Sequence, residues 1–106
     1  MQGGSAVVTR LSVMSTMDLP EPTWSRELRR VRLLSAREAE TFALLGAGWS
    51  NRSISVRMQV TERTVKAHVA RILEKLQVES RLQAGLVALS YRHLNESTVS
   101  SEKKAG

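Results

Sequence analysis

The chain has 106 residues and a mass of 11.8 kDa, room for one modest domain with tails and not for two independent cores. Hydrophobic residues make up 42% of it and aromatics only 4%, so the core is aliphatic, and with no cysteine and two isolated histidines there is neither a disulfide framework nor the ligand set of a zinc finger. The net charge is +6 and is concentrated: residues 26–92 hold 13 basic and 6 acidic side chains, giving +7 against −1 for the remainder, which directs the folded part toward a polyanion such as nucleic acid or an acidic membrane surface.

Residues 1–22 mix small, polar and Met residues without helical periodicity and close on Pro20-Glu21-Pro22, so they read as a flexible arm. They lack a basic start followed by an apolar run, and the longest apolar stretches, such as Gly85 to Leu89, are too short to span a bilayer; the expectation is a cytoplasmic protein without a membrane partner. From Thr23 as N-cap, the i, i+4, i+7 spacing of Trp24, Leu28 and Val31 predicts a linker helix over 23–33. Arg26, Arg29, Arg30 and Arg32 crowd its other positions, either as a solvated face or as a basic arm on phosphates.

The next helix has a sharper start, because Ser35 and Glu38 stand at capping-box spacing. Leu34, Phe42 and Leu45 supply its buried stripe, and Gly46-Ala47-Gly48 ends it. Ser50 caps a short helix carrying Ile54 and Met58, and Gln59-Val60 interrupts before Thr61 caps a longer helix over 61–76. In that helix Val69, Ile72 and Leu76 lie within about 40° of Val65, while Arg63, Ala67, Ala70 and Glu74 lie on the opposite side, flanked by Lys66 and Arg71. An exposed face that begins Arg-Thr-x-Lys-Ala and is small in its middle can approach base edges closely. Ser50, Asn51 and Arg52 offer a hydroxyl, an amide, a guanidinium and free backbone N–H groups to a phosphate, a role compatible with capping by Ser50. His68, on the margin of the buried stripe, fits core packing or a backbone hydrogen bond better than a pH switch, and no carboxylate-histidine-nucleophile arrangement can be specified, so the chain does not read as an enzyme.

The last helix, 80–91, starts at Ser80 with Gln83 at box spacing and is apolar on two sides. Leu82, Leu86 and Leu89 form one side, taken here as the inward one. Ala84, Val87, Ala88 and Tyr91 form the other, which needs a second partner: a second copy, or the N-terminal segment around Trp24 and Leu28. Residues 95–106, rich in Ser, Glu and Lys, read as a disordered tail.

Four segments then match a known pattern in register: Leu34-Ser35-x-Arg37-Glu38-x-Glu40, Gly48-Trp49-Ser50-Asn51-Arg52-x-Ile54, Thr61-Glu62-x-Thr64-Val65-Lys66-x-His68-Val69, and Ile72-Leu73-x-Lys75-Leu76-x-Val78-x-Ser80-Arg81-x-Gln83-Ala84. From about Leu33 to Leu89 the chain resembles the LuxR-type DNA-binding domain found at the C-terminus of NarL/FixJ response regulators. The resemblance implies an all-α, four-helix helix-turn-helix domain, set at 34–94, whose third helix reads the major groove of double-stranded DNA, with base contacts from the Lys66, Ala67 and Ala70 positions, and whose fourth helix makes a homodimer.

The candidate site is accordingly Arg63, Thr64, Lys66, Ala67, Ala70 and Arg71 for the groove, Ser50, Asn51, Arg52, Thr61 and Lys75 for phosphates, and Ala84, Val87, Ala88 and Tyr91 for the dimer, with no metal and no cofactor. The chain departs from the family pattern at Ala70, a place where some members carry a cation, at Thr41, Ser55 and Met58 in the scaffold, and at Gln59, usually glycine. The implied function is a sequence-specific transcription regulator that recruits or obstructs RNA polymerase; the alternative is a module that pairs with another regulator and inhibits it without reading DNA. The promoter-reading end of a sigma factor fits the Ser80-Arg81-x-Gln83 segment less well. Once the helices are placed, too little of the 106 residues remains for a receiver or sensing domain of ordinary size.

Overall fold

The computed structural model describes the backbone of residues 23–105 and the side chains of residues 23–96. Five helices follow one another: α1 (Ser25–Arg30) running into a 3-10 turn (Val31–Leu33), α2 (Ala36–Gly46), α3 (Asn51–Met58), α4 (Glu62–Leu76) and α5 (Arg81–Ala105). No strand occurs among the described residues, so the all-α class holds, and the expected arm over 1–22 lies outside them. The helix α5 runs on past Tyr91 to Ala105, across the segment expected as a tail, whose side chains from residue 97 are not described.

Most of the helix starts are written locally. At α2 the Ser35 hydroxyl accepts from the Glu38 N–H (3.1 Å) and the Glu38 carboxylate accepts from the Ser35 N–H (2.9 Å), the full reciprocal box. Ser50 accepts from the Ser53 N–H (3.1 Å) and Thr61 from the Thr64 N–H (3.0 Å). At α5 the box is displaced: Ser80 accepts from the Gln83 N–H, but the Gln83 carboxamide oxygen accepts from the N–H of Glu79 instead (2.6 Å). Only α1 starts elsewhere than expected. Trp24, with φ 54°, takes the N-cap place without a side-chain cap, and the Thr23 hydroxyl lies 3.2 Å from that of Ser25.

Three helix ends use a left-handed residue followed by a hydrogen bond reaching back five residues: Gly48 (φ 84°) with Trp49 N–H to Leu44 O, Gln59 (φ 58°) with Val60 N–H to Ser55 O, and Gln77 (φ 59°) with Val78 N–H to Leu73 O. The turn between α3 and α4 therefore keeps the geometry that glycine favours while carrying a glutamine, at a conformational cost of about 1 kcal/mol.

The core forms where α2, α4 and α5 meet, with Ile54 of α3 closing it; Ile54, Val65, Ile72, Leu76, Ala84 and Val87 are fully buried. The inward face of α5 is the reverse of the expected one. Ala84, Val87 and Ala88 lie inside, whereas Leu82 is 72% exposed and Leu86 and Leu89 are each 40% exposed. Tyr91 is 37% exposed and sets its ring edge against Phe42, centroids 6.1 Å apart. Ala84, Val87 and Ala88 are thus core residues and not a dimer contact, and Tyr91 is engaged within the domain. The reason is size. A Cβ placed on Gly46 would fall 2.7 Å from that of Ala88, and one placed on Gly85 would fall 3.3 Å from the Leu45 carbonyl oxygen, so α2 and α5 approach at a distance that only the small-residue side of α5 permits. Trp24 and Leu28 pack against the same core, as the second of the two readings of that face required.

Val87→Asp is therefore expected to unfold the domain, costing about 3–5 kcal/mol for a carboxylate forced into an apolar core, while Leu86→Asp on the opposite side costs less than about 1 kcal/mol. Thermal melts followed by circular dichroism check the contrast. Gln59→Gly is expected to raise stability by about 0.5–1 kcal/mol by relieving the left-handed turn, read in the same melts.

Candidate nucleic-acid interface

With Val65, Val69, Ile72 and Leu76 buried, α4 turns Arg63, Lys66, Ala67, Ala70 and Arg71 into solvent. The expected groove residues thus share one exposed helix face, three cations around two methyl groups. Thr64 stands apart from them: it is half-buried and its hydroxyl lies 3.0 Å from that of Thr61, so it completes the cap at the start of α4. Thr61 is itself exposed at that start.

On α3, Ser50 and Arg52 are exposed, the Ser50 hydroxyl being shared between the Ser53 N–H and the Ser53 hydroxyl (3.1 Å each). Asn51 is half-buried, and its carboxamide oxygen accepts from the Arg81 guanidinium, which also donates to the Trp49 carbonyl (2.7 Å). One arginine at the start of α5 thereby fixes the start of α3. The C-terminal end of α3 is fixed from α2, where the Arg37 guanidinium donates to the Met58 carbonyl (3.0 Å). Arg57 lies over the Trp49 ring at 6.0 Å.

Lys75, expected on phosphate, has an internal partner. Its ammonium lies 2.6 Å from the carboxylate of Glu38, whose side chain is only 5% exposed. Burial opposes ionisation of Glu38, but hydrogen bonds from Lys75 and from the Ser35 backbone N–H, with the Lys75 charge, outweigh it and hold the carboxyl below its ordinary range. Lys75 pins the end of α4 to the start of α2, and its position relative to the outer face of α4 is set by that tie.

The fully buried Thr41 has a local account too. Its hydroxyl donates to the Arg37 carbonyl one turn back (3.1 Å) and lies 3.3 Å from both the Met58 sulfur and Nδ1 of His68. His68 is half-buried against this hydroxyl, a side-chain partner where the sequence allowed packing or a backbone bond. Neither Arg81 nor Arg37 nor the Glu38–Lys75 pair was visible as a contact in the sequence; the only signal was that Arg37, Glu38, Lys75 and Arg81 all stand in the four segments that match the family pattern.

The family model for bacterial regulatory proteins of the luxR family matches residues 32–88, more than half of the chain and the whole of α2 to α4 with the first part of α5. The chain belongs to that family. Its helix-turn-helix pair is α3 and α4. It is 43% identical over 58 residues to the transcriptional regulatory protein LnrK of Bacillus subtilis, covering 55% of this chain and 26% of that protein. It is 32% identical over 85 residues to YhjB of Escherichia coli, covering 77% of this chain and 42% of that protein, and 41% identical over 59 residues to the response regulator protein VraR of Staphylococcus aureus, covering 56% and 28%. The chain thus matches less than half the length of each of these relatives.

Lys75→Met is expected to lower stability at neutral pH by about 1–3 kcal/mol, less than for a fully buried pair because the lysine is 34% exposed. The Glu38 carboxyl titrates lower folded than unfolded, so the contribution of the pair is complete above the ordinary glutamate value of about 4.3 and is lost as pH falls through the depressed one. The gap between wild type and variant in urea titrations should be widest at pH 7 and close as the pH falls below about 4.

Proposed function

We propose that this domain is a sequence-reading transcription regulator that inserts α4 into the major groove of double-stranded DNA, lays the start of α3 against the phosphate backbone, and pairs with a second copy through α5. The observation that carries the reading is the exposed face of α4, where Arg63, Lys66 and Arg71 surround Ala67 and Ala70. A face that is cationic at its borders and nearly flat in its middle lets the helix axis come close to base edges while the long side chains reach guanine acceptors or phosphates. With only methyl groups at Ala67 and Ala70, discrimination rests on thymine methyl contact, on the flanking cations and on DNA shape.

Arg52 and the hydroxyls of Ser50 and Thr61, at two helix N-termini, supply the phosphate contacts that set the angle of docking. Pairing is assigned to the outward leucines of α5, Leu82, Leu86 and Leu89, because the opposite side of the helix is used up in the core. A cytoplasmic regulator built this way acts by recruiting or obstructing RNA polymerase. The alternative, a module that pairs with another regulator without reading DNA, would use the same leucines and leave the face of α4 idle.

Lys66→Ala should weaken binding to a site selected from random DNA by about 1–3 kcal/mol with unchanged helicity, measured by fluorescence anisotropy. Arg52→Ala should weaken selected and random duplexes alike and make the dependence of affinity on salt shallower by about one phosphate. Absence of any salt-dependent duplex binding by the unaltered chain would sink the DNA reading and leave the pairing one. Leu86→Asp should lower affinity for a two-half-site duplex and spare a single half-site, which sedimentation of the DNA-bound protein can follow.

A further inference from the structure

A second cationic surface lies away from the helices just described. A groove of about 1090 Å³ runs between the α1 segment with its 3-10 turn on one side and α2 and α5 on the other, and none of the residues lining it belongs to α3 or α4. Its floor is apolar, formed by Leu28, Val31, Phe42, Ala88 and Tyr91. Leu33, 48% exposed, stands in its wall. Its rim holds Arg26, Arg29, Arg30 and Arg32, and among the described residues none of the four forms an ion pair. The only acidic residue in the lining, Glu96, is engaged by Arg92 at 2.9 Å.

We infer that this groove docks an acidic amphipathic helix presented by a partner protein. The charge selects an anion, and the floor selects its form. A nucleic-acid backbone would meet the guanidiniums but cover Leu28, Val31 and Phe42 with hydrated phosphate, gaining nothing from the apolar area. A helix with apolar residues at i, i+3, i+4 and i+7 and carboxylates along its borders satisfies both, since the apolar stripe displaces water from the floor and each carboxylate accepts the paired N–H bonds of a guanidinium. At about 1090 Å³ the groove stands at the upper end of the range for small-molecule sites and has room for the apolar stripe of a helix.

Two other occupants fit the same groove less well. Residues 1–22 of this chain precede α1, but they offer only Asp18 and Glu21, with Arg10 opposing them, against the four arginines of the rim. A second copy seated symmetrically on this groove would bring its own row of arginines against the first. The groove also does not overlap the outward leucines Leu82, Leu86 and Leu89 of α5. Docking here is therefore compatible with DNA on α4 and with a second copy on α5, and it does not depend on either.

The test uses the full chain and a synthetic fluorescent peptide of about four helical turns, with leucines at helical spacing and glutamates at its borders, beside a scrambled peptide of identical composition. Binding of the patterned peptide, tighter than the scrambled one by roughly tenfold or more, with NMR shifts at Leu33, Phe42 and Tyr91, is the expected result. The double variant Arg29→Glu, Arg30→Glu should lose at least about tenfold in peptide affinity with its circular dichroism unchanged. Should that variant fail to fold, Ala43→Glu, at an exposed position in the groove wall, provides the same comparison. Saturating random-sequence duplex should leave the peptide bound. Displacement by the duplex would make the groove part of a polyanion surface and overturn the inference. Equal binding of the scrambled peptide, or shifts confined to the α5 leucines, would overturn it as well. So would failure of the peptide to bind while nuclear Overhauser contacts join residues 7–19 to Leu33 or Tyr91, since the chain would then fill its own groove.

Discussion

Where α2 crosses α5, Gly46 lies so close to Ala88 that a Cβ added to the glycine would sit 2.7 Å from the alanine's own. Helices at that separation can face each other only with their smallest residues, so α5 must turn Ala84, Gly85 and Ala88 inward and take Val87 into the core with them. Everything on the far side of α5 follows. Its three leucines are left outside, and Arg81, one turn before Gly85, is brought to Asn51 and the Trp49 carbonyl at the start of α3. The same crossing borders two apolar depressions: Gly46 and Ala88 line the arginine-rimmed groove, and Gly46 and Gly85 line a smaller one of about 370 Å³ beside the leucines.

The helix-turn-helix pair is held by polar ties from outside itself. Arg81 of α5 fastens the start of α3, Arg37 of α2 fastens its end at Met58, and Glu38 of α2 takes the ammonium of Lys75 near the end of α4. Each is a charge-assisted hydrogen bond, about twice as strong as a neutral one and directional where apolar packing is not. The aliphatic core packs α3 and α4 together; these ties add directional contacts at both ends of α3 and near the end of α4. Glu38 serves twice, closing the cap of α2 with Ser35 while pairing with Lys75, so a single buried carboxylate couples the start of one helix to the end of another.

What could be read from the sequence was what is local. Ser35, Ser50, Thr61 and Ser80 declare the starts of α2 to α5 because capping involves residues three apart, and the stripe of α4 declares itself because only one of its faces is apolar. The helix α5 has two apolar faces, and the choice between them is made by the surface of α2, about forty residues away, so periodicity favoured the bulkier leucines and the close crossing reversed it. The same limit hid the pair of Lys75 with Glu38 and the contact of Thr41 with His68. The exposed face of α4 needed no such knowledge, since burying one stripe of a helix exposes its opposite.

The distribution of charge carries a last consequence. Of the 13 cations between residues 26 and 92, four lie in the rim of the groove, and Lys75, Arg37 and Arg81 are committed to internal partners. The field of the whole segment, +7, still draws the chain toward any polyanion, because long-range steering sums over every charge. Close neutralisation does not sum that way, since counterions leave the duplex only where a cation reaches a phosphate. On the α3 and α4 surface that leaves Arg52, Arg63, Lys66 and Arg71 exposed, and Arg57 beside Trp49. The net charge of a small basic domain therefore measures its rate of encounter with a polyanion better than the number of contacts it makes there. In this chain the rim arginines, which have no internal ion pair among the described residues, are the charge open to another acidic partner.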